Sequence, residues 1–167
     1  MLGSSRLNSA QTQLLKSWIA ATLWLGLIVG ESTNYGSAEN TSRFLYPLLH
    51  FLGVSASHFL VWHFFIRKTG HFVGYFTLSL LLFRAWRATF PFPSASWTLQ
   101  WARISFFMTA LVASLDEWHQ TYLPKRTGTV HDVILDSTAA LVAQILLFAI
   151  LRARRPEPVY TQNSTQN

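Results

Sequence analysis

The chain has 167 residues, half of them apolar and only 12% charged, with 13 Phe, 7 Trp and no cysteine. Soluble domains carry about 25% charged residues, so this composition excludes an ordinary soluble globule and reads as a one-domain membrane protein. Disulfide and thiol chemistry are excluded, and the net charge of +6 comes from cations spread over helix ends, not from the continuous basic patch of a nucleic-acid binder.

In chain order, residues 1–13 are polar and read as a disordered N-terminus. Leu14–Gly30 is the first apolar run, about long enough to span a bilayer. It competes with the core of a signal peptide, but Glu31 directly after Gly30 makes a poor cleavage site, so an uncleaved helix is preferred. Ser32–Ser42 reads as a loop. Arg43–Ile66 is rich in aromatics and carries His50, His58 and His63. Pro47 and Gly53 interrupt it, so two short helices are expected, interfacial or re-entrant rather than spanning.

The second span starts at Arg67–Lys68 and runs to Phe83, with Arg84 and Arg87 at its exit. Pro91 and Pro93 break the chain after it. Trp97–Gln120 is the third span, with Trp97 and Trp101 as interface anchors. Leu123–Gly128 is a tight turn, and Thr129–Leu151 is the fourth span, with Thr129 as its N-cap. Residues 152–167 read as a disordered tail. The expected fold is all-α: a polytopic membrane domain over 14–151 with four transmembrane helices and a short interfacial helical segment between the first and second.

With the N-terminus in the cytoplasm, eight cations fall inside and five outside, while all six histidines and six of the seven acids lie outside. The positive-inside rule therefore puts both termini in the cytoplasm. It also brings the start of the second span, the end of the third and the start of the fourth to one membrane face. The sequence Asp116–Ser137, DEWHQTYLPKRTGTVHDVILDS, holds four of the seven carboxylates at that face. Intramembrane ionisable groups are functional-site candidates by default.

Lys68, His71 and Tyr75 stack on one helix face by their i, i+3 and i+4 spacing. Asp116, His119 and Gln120 do the same on the third span, with Glu117 beside Gln120, and Asp132 and Asp136 lie one turn apart on the fourth. One reading is a structural charge network locking three helices together. A second is a mixed N/O metal site from His71, His119, Asp116, Glu117 and Asp132, but no HExxH spacing supports it, and no cofactor is expected. A third is acid–base chemistry or capture of an anionic or sugar-bearing lipid headgroup.

The segments RKTGHFVGYF (Arg67–Phe76) and DEWHQTYLPKRTGTVHDVILDS together resemble the VanZ-like family of small membrane proteins. Lys68, His71, Tyr75, Glu117, Gln120, Arg126, Asp132 and Asp136 match its pattern residue by residue, and the resemblance covers about 43–151. Two departures are Gly74, where the family often has Glu, and Ala139–Ala140, where it often has Gly. The resemblance implies a bacterial inner-membrane location and, through the founding member, a link to resistance to the glycopeptide teicoplanin.

The combined expectation is a cell-envelope protein that binds or modifies a lipid-linked or cell-wall component at the outer leaflet. Its partners are the lipid bilayer and that component, not nucleic acid. His71, Glu117 and Asp132 are the acid–base candidates. Lys68 and Arg126 would hold anionic groups, with Tyr75, Gln120 and Asp136 orienting. The alternative is a non-catalytic membrane scaffold whose polar cluster only fixes helix packing.

Overall fold

The computed structural model describes residues 8–92 and 95–153. Arg6, Pro93 and the tail 154–167 lie outside the described residues. Among those described there are five α-helices, one 3₁₀ turn and no strand: α1 Ser9–Ser32, the 3₁₀ turn Asn34–Gly36, α2 Ala38–Phe51, α3 Ala56–Thr89, α4 Leu99–Gln120 and α5 Val130–Ala153. Of these, α1 and α5 are long and apolar enough to cross a membrane.

Local chemistry sets the ends. α1 opens with a capping box, Asn8 accepting from the backbone of Gln11 while the Gln11 side chain accepts from Asn8. That cap starts the helix at Ser9, so residues 9–13 form its first turns instead of a disordered lead. Ser37 caps α2, which shortens the expected loop after α1. Thr129 caps α5 as expected, its hydroxyl accepting from Asp132 N at 3.2 Å. α3 stops at Thr89, just before Pro91.

The segment 43–66 differs from expectation. Pro47 lies inside α2 without ending it. The carbonyl it leaves without a helical donor belongs to Arg43, an exposed residue. Only Gly53 breaks the segment, with φ of +89°, a conformation that suits glycine. Beyond it nothing interrupts helical propagation, and α3 runs 34 residues without a break, about 51 Å at 1.5 Å per residue. Arg67 and Lys68 therefore sit three turns inside α3, not at the mouth of a short span.

α3 is the central helix, packed on α1, α4 and α5. The contacts are made by small and hydroxylic residues: Ser17 and Ala21 on α1, Ser79 and Ala85 on α3, Ser105, Thr109 and Ala113 on α4, and Ala139, Ala140 and Ala143 on α5 are all buried. Small side chains let helix axes approach closely. Cross-helix hydrogen bonds reinforce them: Gln144 Nε2 donates to Ser79 Oγ at 2.8 Å, Trp24 Nε1 to the Gly74 carbonyl at 2.8 Å and Trp18 Nε1 to Thr89 Oγ1 at 2.9 Å. Trp101, expected as an interface anchor, is instead wholly buried. Its ring packs edge-on to Phe83 and its Nε1 donates to the Phe90 carbonyl. Large apolar side chains such as Leu23, Leu60 and Phe107 point outward.

The pairings of α3 with α5 advance together along both chains (Lys68 with Asp132, His71 with Asp136, Ser79 with Gln144), so these two helices are parallel. α4 runs back antiparallel to both and packs on each. The turn 121–129 folds back so tightly that a Cβ on Gly128 would run into the Glu117 carbonyl. Gly128→Ala is therefore expected to lower stability by about 1–3 kcal/mol. Gly70→Ala, with nothing near its Cβ, should raise it by about 0.5–1 kcal/mol. Thermal unfolding of both variants in detergent checks the contrast.

Candidate functional site

At the end of the bundle where α1 and α4 finish and α5 starts, α3 presents Arg67, Lys68, His71 and Tyr75 to three other elements. Their order on one helix face carries over into a row of partners. Lys68 forms an ion pair with Asp132. His71 Nδ1 faces Asp136 Oδ2 at 3.4 Å. The Tyr75 hydroxyl donates to Asp116 Oδ2 at 2.7 Å, and Gln120 Nε2 donates to the same oxygen at 3.2 Å. His71 and Tyr75 also stack, with ring centroids 6.4 Å apart.

Two of the expected residues turn to the backbone. Glu117 Oε2 accepts from Thr129 N at 2.8 Å, so this buried acid holds the start of α5, where a negative group also meets the positive end of the helix dipole. Arg126 donates to the carbonyls of Gly36 and Glu31, the latter at 2.8 Å. Arg67 donates to the same Gly36 carbonyl at 2.7 Å. These two arginines tie α3 and the α4–α5 turn to the end of α1. Lys125 closes the same face on Glu39 at 2.8 Å, and that hydrogen bond, ahead of the charges of Lys125 and Arg43, holds the Glu39 carboxyl below its usual value.

All eight expected residues thus converge on one end of the bundle. His119 and His131 do not join them and are exposed. Asp116 and Arg67 belong to the cluster more centrally than the sequence indicated. Asp116 was visible as the first member of the i, i+3, i+4 face it shares with His119 and Gln120. The acceptors of Arg67 are a carbonyl and the Thr41 hydroxyl, and spacing on its own helix gives no sign of them.

Burial is uneven within the cluster. Asp136 is fully buried and Glu117 is 3% exposed, and no protein donor reaches Asp136 Oδ1 or Glu117 Oε1. One ligand atom from each of His71, Glu117 and Asp136 lies within 4.8 Å of the others.

Two cavities meet at the cluster. A mostly apolar one of about 390 Å³ lies between α1, α2 and α3, walled by Trp24, Leu27, Leu45 and Ile66 and ending on Arg67, His71 and Tyr75. A polar one of about 250 Å³ is lined by Lys68, Gln120, Lys125, Thr129 and Asp132. Arg67, His71 and Arg126 line both. Gly74, where the resembled family often carries Glu, lines the apolar cavity and leaves it open.

The fold and this site define a small all-helical bundle with an apolar exterior and a buried ionic cluster at one end. The chain matches the VanZ/LLP1 family over residues 17–152 and belongs to that family. No curated protein matches it, and no solved structure does.

Because Glu117 anchors α5 through a carboxylate oxygen, its amide analogue keeps an acceptor and its truncation does not. Glu117→Ala is expected to lose about 1–3 kcal/mol of stability, with Glu117→Gln losing clearly less. Paired melting curves test this.

Proposed function

We propose that the protein is a four-span envelope protein of the bacterial inner membrane that holds an anionic lipid-linked or cell-wall component at the outer leaflet. In this reading α1, α3, α4 and α5 cross the bilayer. Both termini are cytoplasmic, and the exposed aromatics of α2 and the first turns of α3, such as Phe44, Phe51 and Trp62, sit in the interfacial region. The outward-facing apolar side chains and the small-residue helix contacts support a lipid surround.

The observation that carries the reading is the junction of an apolar and a polar cavity at Arg67, His71 and Arg126. The apolar cavity takes the hydrocarbon part of an amphiphile, and the cations beside the polar one take its phosphates or carboxylates. The acid–base candidates are each already engaged: His71 with Asp136, Glu117 with Thr129 N and Asp132 with Lys68. Those engagements favour binding over proton transfer. Teicoplanin resistance would then follow from withholding or altering a cell-wall component. The same engagements favour a second reading, a scaffold whose cluster only fixes packing.

Native mass spectrometry of the detergent-purified protein separates the two. The binding reading expects an anionic amphiphile to co-purify, and Gly74→Leu, which fills the apolar cavity, to release it while the melting temperature holds. An empty wild type, together with Glu117→Gln and Asp132→Asn variants that no longer fold, would establish the scaffold instead. Orientation is checked separately, since the chain has no cysteine and single cysteines report cleanly. Thr127→Cys is expected to react with an impermeant reagent added to whole cells, and Arg87→Cys only after lysis.

A further inference from the structure

The buried acids of the cluster are not fully accounted for by the pairings above. Asp136 is wholly buried, yet one of its oxygens has no protein partner and the other meets only His71, at 3.4 Å. Glu117 gives one oxygen to Thr129 N and leaves the other buried without a donor. The nearby cations do not donate to these oxygens: Lys68 pairs with Asp132, and Arg67 and Arg126 each donate to the Gly36 carbonyl. Asp116 is already served by Tyr75 and Gln120. Two buried carboxylates face one imidazole, and each keeps an oxygen that no protein donor reaches, fewer pairings than a purely structural network would make.

We propose that His71, Glu117 and Asp136 form a binding site for one divalent transition-metal ion. One donor atom of each lies within 4.8 Å of the other two, a separation that side-chain adjustment of about 1 Å would close to the ~2.0–2.2 Å bonds such ions make with His and carboxylate. One imidazole and two carboxylates, with no thiolate in the chain, suit zinc, manganese or iron, whereas magnesium and calcium favour all-oxygen shells. Two negative charges match the ion's charge. The donors come from three helices, α3, α4 and α5, so the ion would tie the parallel pair to α4. Thr129 N already orients Glu117 from outside the site, as outer partners do for metal ligands. Of the three donors, His71 alone lines the two cavities. This proposal stands whether or not an amphiphile binds.

The test uses the full chain, free of any affinity tag, purified in detergent, stripped with chelator and then reloaded with zinc alone or manganese alone, with magnesium for comparison. About one zinc or manganese per chain is expected by elemental analysis, with a melting temperature raised by several degrees, and neither effect with magnesium. Asp136→Asn and His71→Gln should lose the ion, while His58→Gln and His131→Gln keep it. X-ray absorption on the zinc-loaded wild type should read a single imidazole with oxygen neighbours, a result that needs no variant to fold. A wild type that retains no ion overturns the proposal. So does occupancy unchanged in Asp136→Asn, or a shell of several imidazoles, which would place the ion on the exposed histidines.

Discussion

The register between α3 and α5 is the constraint on which the rest of the molecule depends. Three contacts fix it along the length of the pair: Lys68 with Asp132, His71 with Asp136 and Gln144 with Ser79, separated by 64, 65 and 65 residues. The two helices can lie this close because Ser79, Ala139, Ala140 and Ala143 present almost no side-chain bulk. A slip of one residue would carry Asp136 away from His71 and leave an acid buried alone, and removing one partner of a buried pair costs about 3–5 kcal/mol. The apolar contacts allow closeness, and the ionic ones choose which closeness is adopted.

The same end of the bundle is held by bonds to main-chain atoms. Glu117 fixes the start of α5, Arg126 reaches the carbonyls of Glu31 and Gly36, and Arg67 shares the second of these. The α4–α5 turn, the end of α1 and the middle of α3 are therefore bonded to one another. The α4–α5 turn is thus bonded to the elements that carry the cluster, through Arg126 to the end of α1 and through Glu117 to Thr129.

The all-helical fold, the α4 and α5 boundaries and the gathering of polar residues at one end were legible in the sequence, because each has a local signal. Thr129 precedes an apolar run, and Lys68, His71 and Tyr75 share a face by spacing alone. The continuity of α3 was not legible, because Arg67 and Lys68 look like the edge of a span until their partners on other elements are known. Pro47 misled for a related reason. Its cost depends on whether the orphaned carbonyl is buried, and sequence does not state that. The role of Arg126 was hidden because its acceptors are carbonyls, which every residue possesses. Asp136 was read as an orienting partner because periodicity assigns it to a face of α5. Its complete burial follows only from how α3 and α4 close over it.

A cluster that served packing alone would be expected to end with its buried polar atoms paired, because each unpaired one costs stability with no return. Here the outer members, Lys68 with Asp132 and Tyr75 with Asp116 and Gln120, are matched, while the inner acids Glu117 and Asp136 each keep an oxygen without a protein donor. The mismatch falls where α3, α4 and α5 meet, and no other carboxylate of the cluster keeps a buried oxygen without a protein donor among the described residues. The unpaired oxygens at this point are what the proposed metal site would account for. The matched outer pairs then act as the rigid frame that holds the unmatched inner ones in place.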